Sequence, residues 1–313
     1  MHVLDHFDAD RIRALCASGD FFWLDLEDPP ADQLDTLADI LELPPLAVED
    51  TREFHQRPKV DDYGDRLLIV FYGAQPDTAA TGRLVEVHVH LAPGRVVTVH
   101  RDPCAVFQSV REAHVHFDHE VVYRILDALS ESVLSLLRGI EAEVSGLEQR
   151  AFERPSAADR RRITELRGRL FRLLQIIVPQ RDMLAGGDSP IERVLGMEAG
   201  QAHHPFADVH DDLVLAVNLI AYCRELLAEA LNVYLQATSN RLNQIATRLT
   251  VLATIFVPLT IITGFFGQNF GWLVRHIDTF GDFLVLGIGG MVVPAAGIWL
   301  WLQRAGYLNN NGQ

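Results

Sequence analysis

The chain has 313 residues, 49% hydrophobic and 22% charged, with 42 acidic residues against 27 basic ones and a net charge of −15. That balance argues against nucleic acid as a partner, which needs a basic footprint. It suits contact with cations, whose local concentration a surplus of carboxylates raises.

The first residues, Met1-His-Val-Leu-Asp-His-Phe-Asp, do not pair a basic segment with an apolar core, so no signal peptide is expected. Residues 1–120 read as a mixed α/β unit. Phe21-Phe-Trp-Leu-Asp-Leu26 predicts a strand, and residues 32–43 have helical spacing that stops at Pro44-Pro45. Three β-branched runs, residues 66–72, 84–91 and 95–100, are divided by Gly and Pro, and Pro93-Gly94 marks a tight hairpin between the last two. Flanking helices make an α/β/α sandwich with a mixed or antiparallel sheet the expected arrangement, an α+β class. Cys16, Cys104 and Cys223 are far apart with no CxxC pair, which argues against a disulfide framework and a thiolate zinc site.

Residues 121–244 predict long helices. Val122, Ile125, Leu126, Leu129, Val133, Leu136, Leu137, Ile140, Val144 and Leu147 keep helical spacing without a proline until Glu153-Arg154-Pro155-Ser156. A second helix over residues 157–185, rich in Arg, completes an antiparallel hairpin. A third begins near Pro205 and meets no breaker until Pro258. At 1.5 Å per residue it makes a rod on the order of 90 Å, at once soluble stalk and membrane span.

Residues 245–313 predict a transmembrane domain. Two apolar runs, about 245–266 and 280–302, each have the roughly 20 residues that cross about 30 Å of hydrocarbon, joined by an external loop over 267–279. The soluble body is expected in the cytosol, and two spans return the C-terminus to the same side of the plasma (inner) membrane. Arg241, Arg248 and Arg304 against Arg275 give a small positive-inside bias in that direction.

Along the first span Asn243, Ala246, Thr250, Ala253, Val257, Thr260, Gly264 and Gly267 recur every three or four residues and are mostly small or polar. Such a face fits a narrow wet path; close helix packing in lipid is the competing explanation. Gly267-Gln268-Asn269 closes the span. Isolated, it would read as a helix cap; after this span it reads as a pore mouth. An Asn269 amide oxygen there would accept hydrogen bonds from the waters of a hydrated cation without stripping them.

Ser239-Asn-Arg-Leu-Asn243, Ile255-Phe-Val-Pro-Leu-Thr260 and Gly264-Phe-Phe-Gly-Gln-Asn-Phe270, together with Phe206-Ala-Asp-Val-His-Asp211 and the Glu153-Arg-Pro155 break, closely resemble the CorA-type divalent-cation transporters. The resemblance covers about the last 190 residues well and the rest loosely. It implies a funnel-shaped homopentamer in a lipid bilayer, with first spans lining the pore and second spans facing lipid. The family motif is Gly-Met-Asn, so Gln268 departs from it. Leu249 and Val257 match apolar constrictions, which gate by excluding water. Asn243 would add a polar ring at the cytosolic end. Asp208 matches a position that binds regulatory Mg²⁺ between neighbouring cytosolic domains, and Asp211 and Asp212 add negative charge there. The partner carboxylate is not identified.

The expected function is homopentameric transport of a divalent metal ion, Mg²⁺ first. Zn²⁺ or another transition metal (Co²⁺, Ni²⁺), with or without proton coupling, is the alternative. A reading from another class is a membrane-anchored scaffold or sensor. His88 and His90 share a strand face, His114, His116 and His119 are close together, and so are His203 and His204. They are expected at the surface more than in a zinc site. No P-loop, GxSxG or cofactor fingerprint occurs, so no enzyme activity is expected.

Overall fold

Four strands buried at nearly every position, with two short ones beside them, build one six-stranded sheet from β1 (His2–Leu4), β2 (Phe22–Glu27), β3 (Lys59–Asp62), β4 (Leu67–Gln75), β5 (Arg83–Ala92) and β6 (Arg95–His100). This computed structural model describes residues 2–75, 82–112, 118–153, 156–185, 190–196, 205–268, 271–276 and 279–304. The strand order is β1-β2-β6-β5-β4-β3. β1–β2 and β2–β6 are parallel and the other pairs antiparallel, so the sheet is mixed. Ala92 pairs with Arg95 across the Pro93-Gly94 turn, where Gly94 has φ of 77°, a conformation a side chain would strain.

Helices cover both faces. α1 (Ala9–Ser18) starts where the Asp8 carboxylate accepts the Arg11 N–H at 3.0 Å. With α2 (Ala31–Leu41) it sets Ile12, Leu15, Leu34, Leu37 and Leu41 on Phe22, Leu24, Leu26, Val97 and Val99. The sequence ends a helix at Pro44-Pro45, and the structure adds α3 (Pro45–Glu53) there: proline is preorganised for a first helical turn, where its missing N–H costs nothing. On the opposite face α4 (Phe107–Glu112) places Phe107 edge-on to Trp23, with centroids 5.7 Å apart. α5 (Asp118–Glu153) lies against Gly73 of β4, and the Ser132 hydroxyl accepts the Ala74 N–H at 2.8 Å. α6 (Ala157–Met183) returns along α5, and its Gln180 side chain exchanges two hydrogen bonds with the backbone of Tyr72. The short α7 (Pro190–Val194) follows, with Ile191 buried.

His88 and His90, expected at the surface, are buried, and so is His100. The Thr51 hydroxyl donates to the Ala47 carbonyl at 2.7 Å, and His90 Nε2 and His88 Nδ1 lie 2.9 and 3.3 Å from its oxygen. Burial pushes the His90 imidazole down to about 3, which keeps it neutral. The helix α3, which sets Thr51 against it, and not its own strand's residues, puts it in the core. Burial alone would raise the Glu86 carboxyl, but hydrogen bonds from His88 and the Gln56 N–H prevail and hold it below the ordinary range. Burial would likewise lower His100, yet its bond to Asp25 and that residue's charge raise it. His119 is described, but His114, His116, His203 and His204 lie outside the described residues.

The chain comprises two compact units, Met1–Asn232 and Val233–Gln313. α8 (Pro205–Phe266) starts in the first unit and ends in the second. The second unit also holds α9 (Gly271–His276), α10 (Phe280–Asp282), a π-helical stretch Phe283–Gly289 and α11 (Gly290–Arg304). Two helical segments, Phe206–Phe265 and Phe280–Arg304, are long and apolar enough to cross a membrane, and their most apolar windows are not buried. The second differs from the plain helix its hydropathy suggests. Gly287, Gly289 and Gly290 give its backbone freedom, and Pro294 removes the donor for the Gly290 carbonyl.

Candidate ion path and acidic cluster

Within the second unit, two sides of α8 differ in exposure. Val251, Thr254, Ile255, Pro258, Leu259 and Ile262 are half-buried, whereas Leu249, Ala253, Val257, Thr260 and Gly264 recur along the helix and are exposed, as are the bulkier Leu252, Phe256, Ile261 and Phe265. Leu249 and Val257 are 61% and 55% exposed. Asn243, Ala246 and Thr250, with Thr247, Val251 and Thr254, line a groove of about 410 Å³ shared with Trp301 and Leu302 of α11. The candidate face thus divides in two. Its lower part borders the second apolar helix of the same chain, and its upper part is open.

The hydroxyls on this helix have a shared geometry. Thr247, Thr250, Thr254 and Thr260 each donate to the carbonyl four residues earlier, at 2.8, 2.9, 2.8 and 2.8 Å. The proton is committed to the backbone, so only acceptor lone pairs face outward. Such a surface favours a cation or the hydrogens of its waters. Pro258 offers no N–H, so the Thr254 carbonyl loses its ordinary helical donor.

α8 ends at Phe266. The Gly267 N–H still reaches the Thr263 carbonyl at 2.8 Å, and the Gln268 N–H tightens to Phe265 at 3.3 Å. A Cβ on Gly267 would lie 3.0 Å from the Thr263 carbonyl oxygen, so this turn has little room for a side chain. Gly267 and Gln268 are exposed, and Asn269 lies outside the described residues.

In the first unit, the start of α8 lies beside α5. Phe206 meets Tyr123 edge-on at 6.5 Å. Below them Asp208 and Asp212 face Asp127 and Glu131 of α5. Burial, then the charges of Asp212, Glu131 and Asp208, push the Asp127 carboxyl up. Burial, Glu131 and Asp208 do the same to Asp212, while Arg138 opposes. Asp211 is exposed, with His210 Nδ1 at 3.5 Å from its carboxylate. The sequence reading missed Asp127 and Glu131. Their signal was an i,i+4 acidic pair on the polar side of α5, which looks like ordinary solvation until α8 is placed against it. Among the described residues, no three His, Cys, Asp or Glu side chains are grouped to hold a metal ion.

The CorA-like Mg²⁺ transporter model matches residues 18–304. The cobalt/magnesium transport protein CorA of Thermotoga maritima is 28% identical over 83% of this chain and 76% of its own. The zinc transport protein ZntB of Yersinia enterocolitica is 23% identical over 91% of this chain and 88% of its own. The complete CorA magnesium transporter structure from Methanocaldococcus jannaschii superposes with a TM-score of 0.77 at 21% identity, covering 91% of both chains. Fold, apolar helices and family model agree, and the chain belongs to the CorA-like Mg²⁺ transporter family.

Proposed function

We propose that five copies of this chain form a pore for hydrated Mg²⁺ in the plasma (inner) membrane, with both termini in the cytosol. The chain is a divalent-cation transporter of the CorA-like family and not an enzyme. The observation that carries the pore reading is the exposed strip Leu249, Ala253, Val257, Thr260 and Gly264, which runs to Gly267-Gln268. Its backbone-committed hydroxyl at Thr260 and its small residues leave room and acceptors for a water shell. The Leu249 and Val257 rings would form dry constrictions. Asn269 and Gln268 would accept hydrogen bonds from hydrated ion at the mouth. Asn243, Ala246 and Thr250 would line the cytosolic end.

The acidic cluster would supply the gate. Asp208, Asp211 and Asp212, with Asp127 and Glu131 beside them, repel one another when ionised. A hydrated Mg²⁺ held by these carboxylates and those of a neighbouring copy would favour one arrangement of the assembly over another. Only such differential binding can move a gate. The raised carboxyls of Asp127 and Asp212 support a site whose charge is not yet neutralised.

Zn²⁺ is the second reading, favoured by the similarity to a zinc transport protein and by Gln268 where the family has Met. Flux of Mg²⁺, Co²⁺, Ni²⁺ and Zn²⁺ into proteoliposomes, measured for the native chain and Gln268→Met, separates them. Mg²⁺ should pass fastest in the native chain. Zn²⁺ leading would overturn the ion assignment, and an unchanged profile in the variant would remove Gln268 from selectivity. No divalent flux at all would leave the helices as an anchor and sink the transport reading.

A further inference from the structure

Within the first unit, α4, α5 and the paired ends of β4 and β5 border an open cavity of about 530 Å³. It has the size of a small-molecule site, and the proposed ion path does not use it. Gly82 and Leu136 set its width on one side, since a Cβ on Gly82 would collide with Leu136 Cδ1. Gly139, about one turn further along α5, is there for another reason. Glycine weakens a helix interior, yet a Cβ at this position would meet nothing within 4 Å, so no neighbour requires its absence. Its missing side chain keeps the cavity open.

The lining is sorted by charge and by proton. Among the described residues that line the cavity, Glu131 is the one ionisable side chain. The Ser109 hydroxyl donates to the Val106 carbonyl at 2.7 Å, and that of Ser132 to the Leu129 carbonyl at 2.6 Å. Ser132 Oγ also accepts the Ala74 N–H at 2.8 Å. Both protons are committed to the backbone, so Ser109 offers the cavity acceptor lone pairs. An anion would face the Glu131 carboxylate, whereas an ammonium ion meets acceptors. The far side differs. Leu136, which touches Gly82, lies about 7.5 Å along α5 from Glu131. There the Arg169 guanidinium donates to the Gly82 carbonyl at 3.1 Å, so a positive charge already stands at that end. One ammonium group suits this cavity and a second does not.

We propose that the cavity binds a primary alkylammonium ion of single charge. Its ammonium makes charge-assisted hydrogen bonds to the Glu131 carboxylate, and its chain lies against Val106, Ala128 and Leu136.

The test is calorimetric titration of the full chain in detergent micelles with EDTA, using 5-amino-1-pentanol as the probe and micelles alone as the blank. EDTA is needed because Glu131 also faces Asp212 of the acidic cluster, where a metal ion would compete. The aminoalcohol should bind roughly tenfold more tightly than pentanediol, which has the same length and no charge. Diaminopentane should bind no more tightly than the aminoalcohol, because its second charge approaches Arg169. Glu131→Gln should weaken the aminoalcohol by roughly tenfold. Gly139→Phe should abolish its binding by filling the cavity at unchanged charge. If that variant melts below its parent, Ser135→Phe on the same wall takes its place. Tighter binding of the diamine would overturn the proposal, because attraction to a chain of net charge −15 would then explain the heat. Binding that survives the filled cavity would also overturn it and move the ammonium to the acidic cluster, and so would equal binding of pentanediol. No ion flux is read, so failure here leaves the transport reading standing.

Discussion

Glu86 shows how a single buried carboxylate holds a strained turn. Its oxygens accept the backbone N–H groups of His55 and Gln56 at 2.6 and 2.9 Å, and His88 Nε2 approaches at 2.8 Å. Phe54 and His55 have φ of 53° and 59°, unusual for residues with side chains. Tyr72 adds a bond from its hydroxyl to the Gln56 carbonyl at 2.6 Å, and the Arg101 guanidinium sits 4.5 Å over the Phe54 ring. Glu86→Gln keeps the shape but turns one acceptor into a donor facing an N–H. It should cost about 2 kcal/mol at neutral pH, read as a lower thermal midpoint. Because the folded carboxyl is held below its ordinary 4.5, its stabilisation is present above that pH and is lost as pH falls through the lower, folded value. An acid transition unchanged in the variant would show that the turn stands without this residue.

Asp25 and His100 form a second coupled pair 3.2 Å apart, with Thr98 donating to Asp25 at 2.5 Å and Arg111 pairing with it. Burial would raise Asp25, but His100 and Thr98 lower it, so its contribution is present above pH 3.8 and fades below. His100 is raised, so its contribution is full below pH 6.5 and is lost as pH rises through its folded value. Native stability should therefore form a dome between these limits, and His100→Phe should flatten its alkaline side. The measurement is the thermal midpoint against pH.

At the scale of elements, close helix–sheet contact depends on Gly73. A Cβ there would come within 2.5 Å of Leu129 Cδ2 and 3.1 Å of Ser132 Oγ. Leu129 is fully buried, so it has no free space to yield into. Gly73→Ala should cost about 1–3 kcal/mol by overpacking, seen in the same melts. Between α5 and α8 the opposite holds, because like charges already oppose the contact. Asp127→Asn should stabilise the metal-free protein by on the order of 0.5 kcal/mol. It should also shrink the rise in midpoint on adding Mg²⁺. Asp208→Ala should weaken inhibition of uptake by internal Mg²⁺. Intact inhibition in that variant would remove Asp208 from the gate.

For the whole molecule, the pore reading predicts that polar substitution at the constrictions opens a leak. Leu249→Ser and Val257→Ser should each raise divalent flux at high internal Mg²⁺ by roughly tenfold, since a dewetted ring is the barrier there. Ile262→Val, on the half-buried side away from the strip, is the control that should leave flux unchanged. Equal effects at all three positions would mean that the exposed strip is not the conduction path.

Much of this was legible in sequence, because local periodicity carries it. The strand over residues 95–100 appears at those bounds, and the long helices after residue 118 follow from uninterrupted apolar spacing. The two apolar runs also needed no structure, since length and hydropathy alone decide whether a helix can span hydrocarbon. β1 and β3, of 3 and 4 residues, were missed because strands that short carry almost no pattern and form only against a partner. Tertiary structure alone put His88, His90 and His100 inside, since burial depends on what covers a strand and not on the strand's own residues. It also brought Asp127 and Glu131 to Asp208 and Asp212, some eighty positions away in the chain. A charge acts through space, and only folding makes that distance short.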